Sequence, residues 1–398
     1  MVNTNPNQVQ RVLDSFARTT NEVFTLEELK QQLLLGRQLI MKYGVDVTAP
    51  HIHIGHAVNL WMYKELQELG HKVVFLIGDF TTRIGDPTGK NKTRPIVPES
   101  EIQKNADAFI KQALMILHDD PNLIDIRRNS EWFNEMPTSK FLSLVSMITH
   151  SKLAARDMFR KRLEEGEDVY MHEMLYPLLQ GYDSVELRAD LAIIGSDQLY
   201  NEMIGRFYQE KFGIRPQVIL TTKITPGIDG GAKQSKSLDN YIGLGHSPRE
   251  KFGRIMSMPD DLVVQYFVVY TDVPIEKIDH IWDEQSPRDA KLRLAEEIVS
   301  RYHGEDIARE ERECFISTFS NKQAPDDAPV VSFDNEHHSA YDVVRNCLPE
   351  SESNSQVRRL FDQGAIKTNG DIVGLDEEIT IPAVLKVGKR RWFRLERR

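Results

Sequence analysis

Residues 37–78 carry an apolar run, "RQLIMKY", then a turn, then Val58, Trp61, Met62, Leu66 and Leu69 at helical spacing, stopped by Gly70; a β-branched run, "KVVFLIG", follows. By period and by the glycine stop, these read as strand, helix and strand. Two strands joined through a helix within about forty residues form a βαβ unit, and its strands must run parallel. The pattern returns at 189–222, where "ADLAIIG", "SDQLYNEMIGRFYQEKFG" and "PQVILTT" read as a second strand, helix and strand. The intervening stretch, about 100–185, is mostly helical in pattern. The expected fold is therefore α/β: a Rossmann-like, doubly wound parallel sheet over residues 1–245, interrupted by a helical insertion.

Beyond residue 246 the strand signals stop. "SPREKFGRIM" and "SPRDAKLRLAEEIVSRYHG" each open on Ser-Pro and continue at helical spacing, as a helix with proline in its first turn does. An α-helical domain is expected over 246–325, ending in the polar linker "SNKQAPDDAP". A small α+β domain is expected over 338–398, with a helix in "SQVRRLFDQG" and a hairpin turning at Asn369-Gly370. The last thirteen residues, "KVGKRRWFRLERR", hold seven basic side chains against the single acid Glu396. Trp392 and Phe393 interrupt that run, which suits a strand with one buried and one basic face rather than a solvated tail. The whole chain is nevertheless acidic, with a formal charge of −10 over 398 residues, which argues against indiscriminate nucleic-acid binding. Cys314 and Cys347 are the two cysteines, too few for a disulfide framework. No apolar stretch is long enough for a signal peptide or a bilayer span, so a cytoplasmic protein is expected.

Three histidines, His51, His53 and His56, lie in the turn between the first strand and its helix. In an open α/β sheet that turn opens into the ligand crevice, and the helix N-terminus there favours anions. His53 and His56, three apart, can point into one crevice, and Gly55 permits close approach to the backbone. Phosphate contact is the favoured reading. Zinc binding would need further ligands that no paired Cys or His supplies, so no protein-bound metal is expected; packing is the other alternative. Lys233 and Lys236 in the glycine-rich loop "GAKQSKSLDN" are ordinarily solvated, yet beside such a crevice they can clamp a leaving pyrophosphate. "IGDPTGKNKTR" is a third basic loop. It is no Walker loop, because three residues rather than four separate Gly85 from Gly89 and Asn91 follows Lys90. Finally, Tyr176, Gln180 and Asp183 stand at i, i+4 and i+7 on one helix face among Leu178, Leu179 and Val185. That pattern suits a polar pocket better than a solvated surface.

"HIGH" (53–56) before a helix, with "KQSKS" (233–237) after the last strand, resembles the paired signature of class I aminoacyl-tRNA synthetases. With "YPLLQGYD", "GSDQ" and "IGDPTGK", the match over most of 37–245 resembles the tyrosyl-tRNA synthetases of bacterial type. The resemblance implies that Asp183 accepts a hydrogen bond from the substrate phenol. It also implies that Asp86, Tyr176 and Gln180 hold the α-ammonium group near Gln198, with Asp46, Thr81 and Asn129 as further tyrosine-pocket residues. Gly195 and Asp197 would meet the ATP ribose. Thr48, His53 and His56, with Gly55 and Ser237 close by, would line the phosphates. Lys90, Arg94, Lys233 and Lys236 would be the mobile cations of the reaction. ATP enters as substrate with Mg2+. The C-terminal stretch "SNSQVRRLFDQGAIKTNGDIV" looks like a small RNA-binding fold, with Arg358, Arg359, Lys367, Lys389, Arg390 and Arg391 as phosphate contacts. Tyrosine, ATP and tRNA are the implied partners, and a homodimer formed through the insertion is the implied assembly.

Two positions depart from the family pattern: Lys42 stands where many members have a strand tyrosine, and Val47 where proline is usual. Neighbouring strand residues face opposite ways, so Tyr43 cannot substitute for the missing tyrosine. Three rival readings remain at this level: a paralogue that activates a modified aromatic amino acid, a non-catalytic RNA-binding protein on the same scaffold, and a small-molecule nucleotidyltransferase.

Overall fold

Lys72–Ile77 is apolar on both faces, and every residue after Lys72 is buried, as a strand covered by helices on either side requires. A computed structural model describes residues 2–24, 26–87, 97–154, 156–235, 238–319, 328–349, 351–388 and 391–398. Its central sheet has six strands: β1 (Thr20–Phe24), β2 (Ile40–Val45), β3 (Lys72–Ile77), β4 (Ile124–Arg128), β5 (Leu191–Gly195) and β6 (Val218–Thr222), in the order β1-β6-β5-β2-β3-β4. All neighbours pair in parallel except β1, which runs antiparallel along β6. The chain winds outward from β2 through β3 to β4, then returns to β5 on the other side of β2. The sheet thus reverses direction between β2 and β5, and the ends of these strands bound the crevice where such sheets take ligands.

The helix Ile54–Glu68 leaves the end of β2 and buries Ala57, Val58, Leu60, Tyr63 and Leu66 against the sheet. Two strands were hidden in the sequence. The stretch expected as a helical insertion contains β4, where the run IDIRR buries Ile124 and leaves Ile126 exposed. At the sheet's edge this strand needs little apolar content, so its charges masked it. β1, TNEVF, is an edge strand for the same reason. The remainder of the insertion is helical, ending in Met171–Glu186. That helix crosses Leu199–Lys211 so closely that a Cβ at Gly181 would lie 2.7 Å from the Ile204 side chain and 3.0 Å from the Gly205 nitrogen.

The segment expected as one α-helical domain, 246–325, is divided. The chain forms two compact units, Met1–Tyr302 and His303–Arg398. Helices Pro248–Met256, Val263–Tyr270, Ile275–Glu284 and Pro287–His303 follow the sheet. They are tied back to it by hydrogen bonds: the Tyr266 hydroxyl donates to the Pro226 carbonyl (2.7 Å), and the Arg18 side chain donates to the carbonyls of Val268 and Phe267. In the second unit the small domain starts before residue 338, because Val330–Phe333 pairs in parallel with Arg391–Arg397 at the edge of a five-stranded sheet. Its core gathers Val343, Val357, Ile366, Leu385 and Leu395. The expected hairpin is present. Asn369 and Gly370 have φ of +49° and +101°, joining Ile366–Thr368 to Asp371–Ile372 as a two-residue turn of positive-φ residues does. Among the described residues no helix is long and apolar enough to cross a membrane.

Candidate active site

At the end of β2 the chain bends through Asp46 and Thr48 and starts the helix with His53 as its N-cap. The turn is fixed on both sides. Ile52 N–H donates to the Gln112 side chain, Ile54 N–H to the Ile242 carbonyl, and Leu244 N–H to the Ile52 carbonyl. The His53 and His56 rings lie 3.8 Å apart between centroids. Gly55 does allow a close approach, but within the protein: a Cβ there would sit 3.0 Å from the His53 ring. Both imidazoles therefore stand at the positive end of one helix. Among the described residues no group of three or more His, Cys, Asp or Glu could hold a metal ion. Val47 also has a reason to be there. Its N–H donates to the Thr82 hydroxyl (3.0 Å), a bond that proline cannot make.

At the end of β5, Gly195 leads into Asp197, and a Cβ on Gly195 would fall 2.7 Å from the Asp197 carboxylate. Lys233 reaches over from the glycine-rich loop to Asp197 at 2.6 Å. The crevice thus joins two stretches far apart in sequence. Gln234 of the same loop turns inward, 6% exposed, and donates to the Tyr270 hydroxyl (2.8 Å). It anchors the loop and points away from the crevice. Lys236 and Ser237, like Lys90 and Arg94, lie outside the described residues.

The helical stripe Tyr176, Gln180 and Asp183 takes part in two chains of hydrogen bonds with residues of neighbouring elements. The Tyr176 hydroxyl donates to Asp46 (3.0 Å), which also accepts from Thr81 (2.8 Å). Asn129 donates to Thr81 (3.0 Å) and, at 3.4 Å, to Asp183. The Trp132 indole N–H donates to the other Asp183 oxygen at 3.0 Å. On the opposite side, Gln180 donates to Glu202 (2.9 Å), Asn201 donates to Gln180 and Gln198, and Gln198 donates to Asp86 (2.8 Å). Asp183 is 4% exposed. Burial pushes its carboxyl up to about 8, against the nearby Lys42 charge and the donors Asn129 and Trp132. Burial also raises the Tyr176 phenol well above its usual range, with the Asp46 charge adding to the effect, so it stays a neutral donor.

Sequence reasoning missed Trp132, Asn201, Glu202 and Arg156. The Arg156 guanidinium lies 5.0 Å from the Tyr200 ring, and the charges of Asp86 and Asp197 act on it. Glu202 is 2% exposed and pairs with Lys42 at 2.8 Å. A lysine inside the apolar run of β2 was the available signal, since such a residue is rarely buried without a partner. Tyr43 faces the other way, edge-on to Tyr63 and tilted against Phe75.

In the second unit, Arg358 and Arg359 are exposed on the helix Asn354–Asp362, and Lys367 is half-buried on its strand. Arg391 forms an ion pair with Glu352. Lys389 and Arg390 lie outside the described residues.

Comparison with known proteins gives a consistent result. The family described as tRNA synthetases class I (W and Y) matches residues 35–320. A tyrosine–tRNA ligase of Francisella tularensis is 40% identical, covering 97% of this chain and 98% of the relative. One of Thermotoga maritima is 39% identical, covering 95% of each. Among solved structures, a C-terminally truncated mitochondrial tyrosyl-tRNA synthetase of Aspergillus nidulans superposes with a TM-score of 0.65 over 79% of this chain and 97% of the other, at 24% identity. One of Archaeoglobus fulgidus in complex with L-tyrosine has a TM-score of 0.61 over 76% of this chain and 99% of the other, at 23% identity. These two likenesses concern the fold.

Proposed function

The chain belongs to the class I tRNA synthetases of the tryptophan and tyrosine group, and we propose from that membership that it is an ATP-consuming ligase that charges tRNA with tyrosine. The observation that carries the choice of tyrosine is Asp183. It is a buried carboxyl at the end of a polar chain that runs through Asn129, Thr81 and Asp46 to Tyr176. Beyond the bonds from Asn129 and Trp132 the carboxyl keeps room for one more hydrogen-bond partner, which a phenol hydroxyl supplies and a plain benzyl ring does not.

In the first step the tyrosine carboxylate attacks the α-phosphorus of Mg-ATP. A bond forms to that phosphorus, the bond to the bridging oxygen breaks, and pyrophosphate leaves with the electron pair. The nucleophile is already ionised, so no general base is needed. Catalysis is then alignment and stabilisation of charge on the phosphates. His53 and His56 at the helix terminus, with Lys233, Lys236, Lys90 and Arg94, are the groups assigned to those oxygens; Thr48, Gly55 and Ser237 line the same side. Asp197 and Gly195 take the ribose. Asp86, Tyr176, Gln180 and Gln198 take the ammonium group, while Asp46, Thr81 and Asn129 fix Tyr176 and Asp183. In the second step a hydroxyl of the tRNA's terminal ribose attacks the acyl carbonyl, and AMP leaves. Mg2+ arrives with the nucleotide as part of the substrate. Arg358, Arg359, Lys367, Lys389, Arg390 and Arg391 are assigned to RNA phosphates. A homodimer is assigned through the helices between β4 and β5, which expose Leu142, Met147, Leu163, Tyr170 and Met171, an apolar set that suits an interface. The cytoplasm is the assigned compartment.

The test is ATP–pyrophosphate exchange with each amino acid in turn, followed by charging of tRNA. Exchange that depends on tyrosine is expected. Faster exchange with tryptophan, or none with any amino acid, overturns the reading.

A further inference from the structure

Lys42 and Glu202 form an ion pair between β2 and the helix Leu199–Lys211, with side chains 3% and 2% exposed. Taking two charges out of water is costly, and such a pair is rarely a good way to stabilise a fold. Its surroundings suggest another use. The Lys42 ammonium donates to Glu202 (2.8 Å), to the Ser184 hydroxyl (2.6 Å) and, at 3.5 Å, to the Gln180 carbonyl. Its three hydrogens are therefore committed, and it has none to offer a substrate. Two of those acceptors flank Asp183 on its own helix. Glu202 in turn accepts from the Gln180 side chain (2.9 Å) and from Gln217 (2.6 Å).

We propose that this pair determines the pocket's preference for a hydroxylated ring: Lys42 is a positioning residue that acts by charge on Asp183, and Glu202 both fixes Gln180 and opposes that charge. The proposal rests on the tyrosine reading above and concerns how the same pocket selects its substrate. The charged or titratable groups acting on Asp183 are Lys42 from β2, Glu202 from the neighbouring helix and Tyr176 from its own helix; Asn129 and Trp132 are neutral donors. The charge of Lys42 favours the ionised carboxylate, which can only accept a hydrogen bond, and that of Glu202 disfavours it. An acceptor-only Asp183 requires a hydroxyl donor, whereas a protonated one tolerates its absence.

The two charges act on Asp183 in opposite directions, so removing both and removing Glu202 alone must move its ionisation opposite ways, whereas a pair too weakly coupled to the pocket would leave the tyrosine profile in place. The double variant Lys42→Met/Glu202→Gln removes both charges together and leaves no lone ion in the core. In pyrophosphate exchange between pH 6 and 9.5, the KM for tyrosine should fall as Asp183 ionises. In the double variant that fall should move up by about one pH unit, with KM near pH 7 raised by about tenfold and the preference for tyrosine over phenylalanine reduced by a similar factor. The kcat at saturating tyrosine and the KM for ATP should stay within about twofold. Glu202→Gln alone, which keeps Lys42, should move the fall to lower pH. If the double variant fails to fold, the direction of that single shift still decides. Profiles that stay in place, or that move the same way in both variants, overturn the proposal. Absence of tyrosine-dependent exchange in the unaltered protein would instead overturn the functional reading.

Discussion

Asp183 is a liability to the fold. Burial lifts its carboxyl from 3.8 to about 8, so between those values the unfolded chain is ionised at this position while the folded chain keeps its proton. Stability contributed here is full below pH 4 and declines as pH rises towards 8. Asp183→Asn, which does not titrate, should be more stable than the unaltered protein by on the order of 1–3 kcal/mol at pH 8, after allowing for a weaker acceptor opposite Trp132 and Asn129. The gain should vanish near pH 4. Denaturant unfolding of ligand-free protein at pH 5, 7 and 8.5 measures it, and a difference that does not grow with pH would contradict the assignment; tyrosine-dependent exchange should collapse in the same variant. The histidine turn predicts the reverse pattern, loss of rate without loss of binding. His56→Ala should lower kcat for adenylate formation by about 10²-fold while leaving the KM for tyrosine within severalfold, as expected of a group that meets only the phosphates. Equal losses in both would exclude that role. The stripe Tyr176, Gln180 and Asp183 was legible because the polar residues keep helical spacing inside an apolar stretch. The partner of Lys42 was not, since Glu202 lies 160 positions away (from 42 to 202) and no local pattern links a strand lysine to one glutamate among many.

The network of side chains exists because two helices approach each other at their glycines. Gly181 stands between Gln180 and Tyr182 on Met171–Glu186 and faces Ile204 and Gly205 on Leu199–Lys211; Gly205 in turn leaves room for the Ser184 hydroxyl, which a Cβ would approach to 2.9 Å. Alanine at 181 gains about 0.5–1 kcal/mol of helix propensity. It also drives a methyl group into backbone that cannot yield, at about 1–3 kcal/mol. Gly181→Ala should therefore be net destabilising by about 1–2 kcal/mol in denaturant unfolding. It should also raise the KM for tyrosine, because separating the helices stretches the bonds from Gln180 to Glu202 and from Asn201 to Gln180. A stabilised variant with unchanged KM would show that the crossing is loose. Glycine in a helix is a visible oddity in sequence, but which helix presses against it is not. Edge strands were illegible for a related reason. β1 and β4 each have one paired side and a wet face, so TNEVF and IDIRR never had to look apolar, whereas the central strands were forced to.

Basic charge in this chain is local rather than spread over a whole unit. The chain as a whole is at −10, yet Arg358 and Arg359 stand exposed on one helix of the second unit, Arg358 over the ring of Tyr341. The basic tail was legible as a strand through Trp392 and Phe393. The unit boundary was not, because consecutive helices share one period whichever unit they belong to, so the first unit ends at Tyr302 where composition pointed to about 325. If the second unit takes RNA by its phosphates, the pair Arg358→Ala/Arg359→Ala in the full chain should leave tyrosine-dependent pyrophosphate exchange within about twofold while raising the KM for tRNA by about tenfold or more. The cause would be electrostatic, so the loss should be largest at low salt. The slope of log KM for tRNA against log salt should flatten by about two, one for each phosphate contact removed. Equal falls in exchange and charging would mean that the arginines support the fold instead, and an unchanged salt slope would move the RNA contact elsewhere on the molecule.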